Sequence, residues 1–156
     1  MKNKPLSMKI IKQAFALCII VCFTFTSNAQ IVSSTKPFLF SNSAAAFEAK
    51  TAELDKAFIA KAGSSIQLNF ANNFTFNGII LSSVQRYGKL CSIIIKSPSL
   101  HNTLMSVSKR INDDNSVTYV GRIINESYAD GYELKKSLDG NYTFHKIKTE
   151  DLIQDY

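Results

Sequence analysis

The spacing of apolar and polar residues changes along this chain, and the changes mark its elements. Between residues 44 and 62, positions Phe47, Thr51, Leu54, Phe58 and Ala62 recur at helical intervals, with Glu48, Lys50, Glu53, Lys56 and Lys61 on the other sides. Ser41-Asn42-Ser43 offers capping side chains ahead of them. Gly63 offers a stop, because glycine enters the left-handed conformation without a side-chain clash. The spacing predicts one amphipathic helix over 44–62.

After Gly63 the period falls to two. Ile66, Leu68 and Phe70 alternate with Ser65, Gln67 and Asn69, and Phe74, Phe76 and Ile80 share a side around Gly78. Further strands are expected at about 90–96, 103–111, 117–125, 131–137 and 141–148. Turn residues punctuate them at Asn72-Asn73, Tyr87-Gly88, Ser97-Pro98, Asp113-Asp114-Asn115, Ala129-Asp130-Gly131 and Asp139-Gly140-Asn141. Connections this short suit antiparallel neighbours, since parallel strands need a crossover of about a dozen residues. An extended lead-in over 31–40 is anchored by Phe38-Leu39-Phe40, and 149–153 reads as a helical turn packing Leu152 and Ile153. The expected fold class is α+β, one amphipathic helix packed on a meandering antiparallel β-sheet.

The strand pattern also repeats. Phe74-Thr75-Phe76-Asn77-Gly78-Ile79-Ile80-Leu81 aligns with Val117-Thr118-Tyr119-Val120-Gly121-Arg122-Ile123-Ile124, with Thr, aromatic, Gly and Ile in register. The alignment raises a duplicated three-stranded unit, roughly 74–109 and 117–148. Independently of that, a mid-strand glycine serves a bulge, a sharp bend or a close approach at Gly78 and Gly121.

Ahead of the domain lies a different pattern. Lys2, Lys4, Lys9 and Lys12 precede an apolar run over 14–25, and the small residues Ser27 and Ala29 stand just before Gln30. This is the layout of a secretory signal peptide cleaved after residue 29. The run is shorter than the roughly 20 residues a membrane-spanning helix needs. Leu17 before Cys18 and Val21 before Cys22 are too bulky for lipid attachment.

Removing the leader revises the composition. A single domain over 30–156 remains, 127 residues long, and the formal charge falls from +6 to +2 because four lysines leave with the leader. Nucleic acid is then not expected as a partner: no Lys/Arg run exceeds two residues, as at Lys109-Arg110 and Lys135-Lys136. No membrane span is expected in the mature chain. Cys91 is left alone, so no intramolecular disulfide can form, and its strand Leu90-Cys91-Ser92-Ile93-Ile94-Ile95 points to core packing.

Candidate chemistry is sparse. His101 lies in a polar loop, His145 alternates with Phe144 on a late strand, and neither belongs to a zinc motif. Asn112-Asp113-Asp114-Asn115-Ser116 lacks the spacing and closing glutamate of a calcium loop. No Gly-x-Ser-x-Gly elbow and no phosphate-binding glycine loop occurs, so no catalytic, cofactor-binding or metal residue is assigned and no cofactor is expected. Glu126, Tyr128, Asp130, Tyr132 and Glu133 form a candidate recognition rim, because tyrosines give rigid contact area with a polar tip. These readings describe a non-enzymatic exported domain, periplasmic or extracellular, that recognises a protein or peptide. The alternative is a carrier of a small apolar ligand, with Phe47, Phe58, Phe70, Phe74, Phe76 and Phe144 around a pocket between helix and sheet.

Overall fold

The period-two segments become the strands of one sheet. The structure, a computed structural model, describes residues 36–71 and 73–152, all within the unit Thr35–Tyr156. The leader, residues 31–35, Asn72 and Ile153 lie outside the described residues. In chain order the elements are β1 (Ala46–Glu48), α1 (Thr51–Ile59), β2 (Ser65–Asn69), β3 (Thr75–Arg86), β4 (Leu90–Ser97), β5 (Thr103–Ile111), β6 (Val117–Ile124), β7 (Asp130–Lys136) and β8 (Tyr142–Lys148). Short 3-10 turns follow β4 at Pro98–Leu100 and β8 at Thr149–Leu152.

Strands β2 to β8 pair in sequence order, all antiparallel, and β1 adds to the far side of β8. The sheet curls until its two edges approach: the Ala71 N–H just after β2 donates to the Glu48 carbonyl of β1 at 3.2 Å. Helix α1 bridges the same two edges along the chain and packs on β2 and β4. One helix on an antiparallel sheet is the α+β arrangement that the periodicity predicts.

The helix itself is shorter than expected. Residues 44–50 are not helical, because Ala46, Phe47 and Glu48 pair with His145, Phe144 and Thr143 and cover the edge of β8. Pairing there buries Phe47 among Phe70, Phe74, Tyr132 and Phe144, with ring centroids 4.3 to 5.6 Å apart. That tertiary gain overrides the helical propensity of an alanine-rich stretch. Ser41-Asn42-Ser43 forms a turn instead of a cap, and Lys50 stands at the N-cap without a side-chain bond. Nine residues make a helix too short to persist alone, so α1 depends on burying Leu54 and Ala57. Ala62 lies beyond it, exposed.

Two charged side chains fix the lead-in segment. The Asp130 carboxylate accepts the N–H groups of Leu39 at 2.6 Å and Phe40 at 2.9 Å. The Lys146 ammonium donates to the carbonyls of Phe40 at 2.6 Å and Ser43 at 2.7 Å. Phe40 is thereby driven into the aromatic core while Phe38 stays exposed. The same clamp draws Asp130 into β7, so the expected turn at 129–131 moves back to 125–128, closed by the Tyr128 N–H on the Asn125 carbonyl at 3.0 Å.

Candidate functional site

Alternation sorts each strand into an inner and an outer set. Ile93 and Ile95 are 1% and 0% exposed, whereas Ile94 between them is 38% exposed. Registers extend the outer set across the sheet: Ile79 lies beside Lys96 and Leu104, Ser82 beside Ile94, Ser106 and Arg122, and Val84 beside Ser92, Ser108 and Val120. A bulge between Ile80 and Ser82 leaves Leu81 unmatched and exposed. The convex face thus carries Ile79, Leu81, Val84, Ile94, Leu104 and Val120 interleaved with serines.

Two depressions lie on this face, one at each glycine matched by the repeat. The first, of about 510 Å³, is bordered by Ser65, Gln67, Asn77, Gly78, Ile79 and Ser99. The second, of about 310 Å³, is bordered by Ser106, Ser108, Val120, Gly121, Arg122 and Glu133. Both glycines allow neighbouring strands to come close. A Cβ on Gly78 would stand 2.6 Å from Ile95 Cγ2 and 2.7 Å from the Lys96 carbonyl oxygen; on Gly121 it would meet the Ser106 carbonyl oxygen at 2.9 Å.

The second depression sits where β6 and β7 part. Their ladder runs only from Gly121–Leu134 to Ile123–Tyr132, although both strands continue. Below it the Tyr142 hydroxyl accepts the Tyr119 N–H at 3.1 Å, standing in for a strand.

On the opposite side, α1 is latched to the sheet. Asp55 accepts from Lys109 Nζ and from the Tyr119 hydroxyl, each at 2.7 Å. Burial pulls the Asp55 carboxyl up, but these two bonds outweigh it and leave it below its ordinary value. Burial first, and then the Asp55 carboxylate, push the Tyr119 phenol well above its own. Neither group exchanges a proton near neutrality, so the pair suits holding a helix better than moving protons. Beside it, Phe58 and Ile59 of α1 face Gln85, Cys91, Lys109 and Ile111 across a cavity of about 300 Å³. Cys91 is partly exposed at this cavity, which corrects its expected place inside the core.

The expected recognition rim does not assemble. Tyr132 is fully buried, with its hydroxyl donating to the Ala44 carbonyl at 2.7 Å, and Asp130 is buried in the lead-in clamp. Glu133 lies on the convex face and pairs with Arg122 at 3.1 Å and Lys135 at 3.4 Å. Only Glu126 and Tyr128 stay at the connection, the tyrosine ring 5.8 Å from that of His101. His145 is exposed on β8, away from His101. Among the described residues no three His, Cys, Asp or Glu groups gather to hold a metal. No helix among them is long and apolar enough to cross a membrane.

Of the phenylalanines read as pocket lining, Phe47 and Phe70 pack ring on ring with both Phe74 and Phe144, and Phe76 is fully buried. Phe58 alone among those six borders a cavity described above. Sequence reasoning missed the convex face. The signal was present in Gly78 and Gly121 and in the serines that alternate with apolar residues on β3 to β5.

No known protein family matches the chain, and comparison with curated proteins and with solved structures yields no match.

Proposed function

We propose that this protein is an exported, non-enzymatic module that binds a protein or peptide on the convex face of its sheet. The carrying observation is the exposed apolar set Ile79, Leu81, Val84, Ile94, Leu104 and Val120 lying between two depressions. Such depressions admit individual side chains, and interface anchors work by filling pockets. Export rests on the leader pattern over 1–29.

Two further observations bear on this reading. The cavity between Phe58, Ile59 and the ends of β3 to β5 favours a second function, carriage of a small apolar ligand, and about 300 Å³ is at the small end of ligand sites. The matched positions of the repeat favour a duplication of 74–109 and 117–148. Phe76 and Tyr119 face inward alike, as do Ile80 and Ile123, and Gly78 and Gly121 each border a depression.

A photo-crosslinking residue placed at Ile94, with a control at the exposed turn residue Leu138, tests the docking surface in the native host. One defined protein adduct from position 94 and none from position 138 is expected. Equal labelling from both positions, or none from either, rejects this surface.

A further inference from the structure

Charge on this molecule is segregated by element. Strands β3, β4, β5 and β6 contain no Asp or Glu, and their outward positions include Arg86, Lys96, Arg110 and Arg122. Acidic residues sit on α1, at the turns and on the outer strands, as at Asp55, Asp113, Asp139 and Glu133. Among the described residues, Arg86, Lys96 and Arg110 enter no ion pair, and Arg122 shares Glu133 with Lys135. The cations stand toward the two ends of the apolar set, Lys96 between Ile79 and Leu104 at one end and Arg86 and Arg110 beyond Val84 at the other. Lys96 lies in register with Leu104, while Arg110 stands six residues further along β5, roughly 20 Å at strand rise.

Resting on the convex-face reading above, we infer that the occupant is an extended segment of a partner protein whose sheet-facing side chains, every second residue, run carboxylate, aliphatic, aliphatic, carboxylate. Its carboxylates meet Lys96, Arg110 and Arg86, and its aliphatic groups meet Ile94, Leu104 and Val120. The serines Ser82, Ser92, Ser106 and Ser108 offer hydroxyls to its polar atoms. The aromatics within β3 to β6, Phe76 and Tyr119, are buried on the other side, and the exposed Tyr87 lies beyond those strands in the β3–β4 turn, so the strands themselves present none of the rings with which proteins stack on single-stranded nucleic acid or anchor at a lipid interface. Aliphatic groups, hydroxyls and spaced cations fit a peptide better than either.

The test uses protein purified from its host, nitrogen-15 labelled, with amide shifts followed by NMR. One probe is an acetylated peptide of about eight residues with Glu at its first and seventh positions, Leu or Val at its third and fifth, and Ser or Thr between. Its counterpart has Lys for Glu, and the third probe is vesicles of phosphatidylglycerol and phosphatidylcholine in equal parts. The acidic peptide is expected to shift β3 to β6 amides and bind at least about tenfold tighter than the basic one. That preference fades between about 20 and 300 mM salt, as exposed charges are screened. Lys96→Glu with Arg110→Glu, both on the surface, is expected to reverse the preference. Equal or better binding of the basic peptide at the same amides overturns the charge assignment and leaves the docking face standing. Silence from both peptides removes the docking face as well, and binding of vesicles alone replaces the peptide with a lipid surface.

Discussion

The Tyr142 hydroxyl lies 3.1 Å from the Tyr119 amide nitrogen and takes the hydrogen bond that a paired strand would have taken. Tyr119 is nearly fully buried, so that N–H has no ready solvent substitute. Tyr142→Phe keeps the ring and deletes the acceptor. It is expected to cost about 1–3 kcal/mol, the penalty for a buried unsatisfied donor. Denaturant unfolding measures the loss, and hydrogen exchange at the Tyr119 amide is expected to accelerate more than exchange elsewhere on β6.

Asp130 holds two backbone N–H groups of a segment some ninety residues earlier in the chain. Asp130→Ala removes both charge-assisted bonds and is expected to destabilise by about 2–4 kcal/mol, at about 1.5–3 kcal/mol for each bond to a charged group, less what water restores. Asp130→Asn retains one acceptor and is expected to fall between. A proteolysis assay is expected to show earlier cutting near Phe38 in the alanine variant.

The two matched glycines differ in how tightly they are enclosed. Gly78→Ala forces a Cβ to 2.6 Å from Ile95 and 2.7 Å from a backbone oxygen, while Gly121→Ala meets its nearest atom at 2.9 Å. Overpacking costs of about 1–3 kcal/mol or more are expected for Gly78, with a smaller loss for Gly121. Gly140→Ala has open space but φ +89, so its cost of about 1–2 kcal/mol comes from the backbone alone. Midpoints from urea melts of the three variants check the order.

The helix latch sets opposite pH limits. Glu53 is held below its ordinary value by its bonds to Lys56 and the Asn69 N–H, and Asp55 by Lys109 and Tyr119 against the pull of burial. A carboxyl lowered on folding adds stability above its unfolded value near 4, and that stability is lost as pH falls through the lowered folded value. Tyr119 is raised, so its share is present below the unfolded value near 10 and is lost as pH climbs from there through the raised folded value. Asp55→Asn is expected to flatten the acid limb and shift the Tyr119 titration downward. Unfolding midpoints across pH, with phenol absorbance for the alkaline arm, measure both.

Processing is checked by mass. Protein recovered from its native host is expected to begin at Gln30 and to carry no acyl chain, as read by intact-mass spectrometry. A chain retaining Lys2 to Lys12 rejects the cleavage.

The meander was legible because β2 to β8 alternate, and turn residues separate them. Tyr87 and Gly88, for instance, both take positive φ in the β3–β4 turn. β1 was not legible: an alanine-rich stretch reads as helix, and the open edge of β8 that recruits it is about a hundred residues away. The rim failed for the same reason, since nothing near Asp130 or Tyr132 shows that the lead-in segment will fold back onto them. The convex face was hidden within Ile93-Ile94-Ile95. Three consecutive isoleucines conceal which one points outward, and only the register with Ser82 and Ser106 separates them.

The contact between Glu48 and Ala71 also has a temporal meaning. The sheet edges it joins belong to strands adjacent in the chain but at opposite ends of the strand order. β1 has no partner strand until β8, residues Tyr142–Lys148, exists beside it. About a hundred residues of chain must therefore be present before β1 can dock, and pairings of such long sequence separation form slowly. Docking of the first described strand thus waits on the last described one.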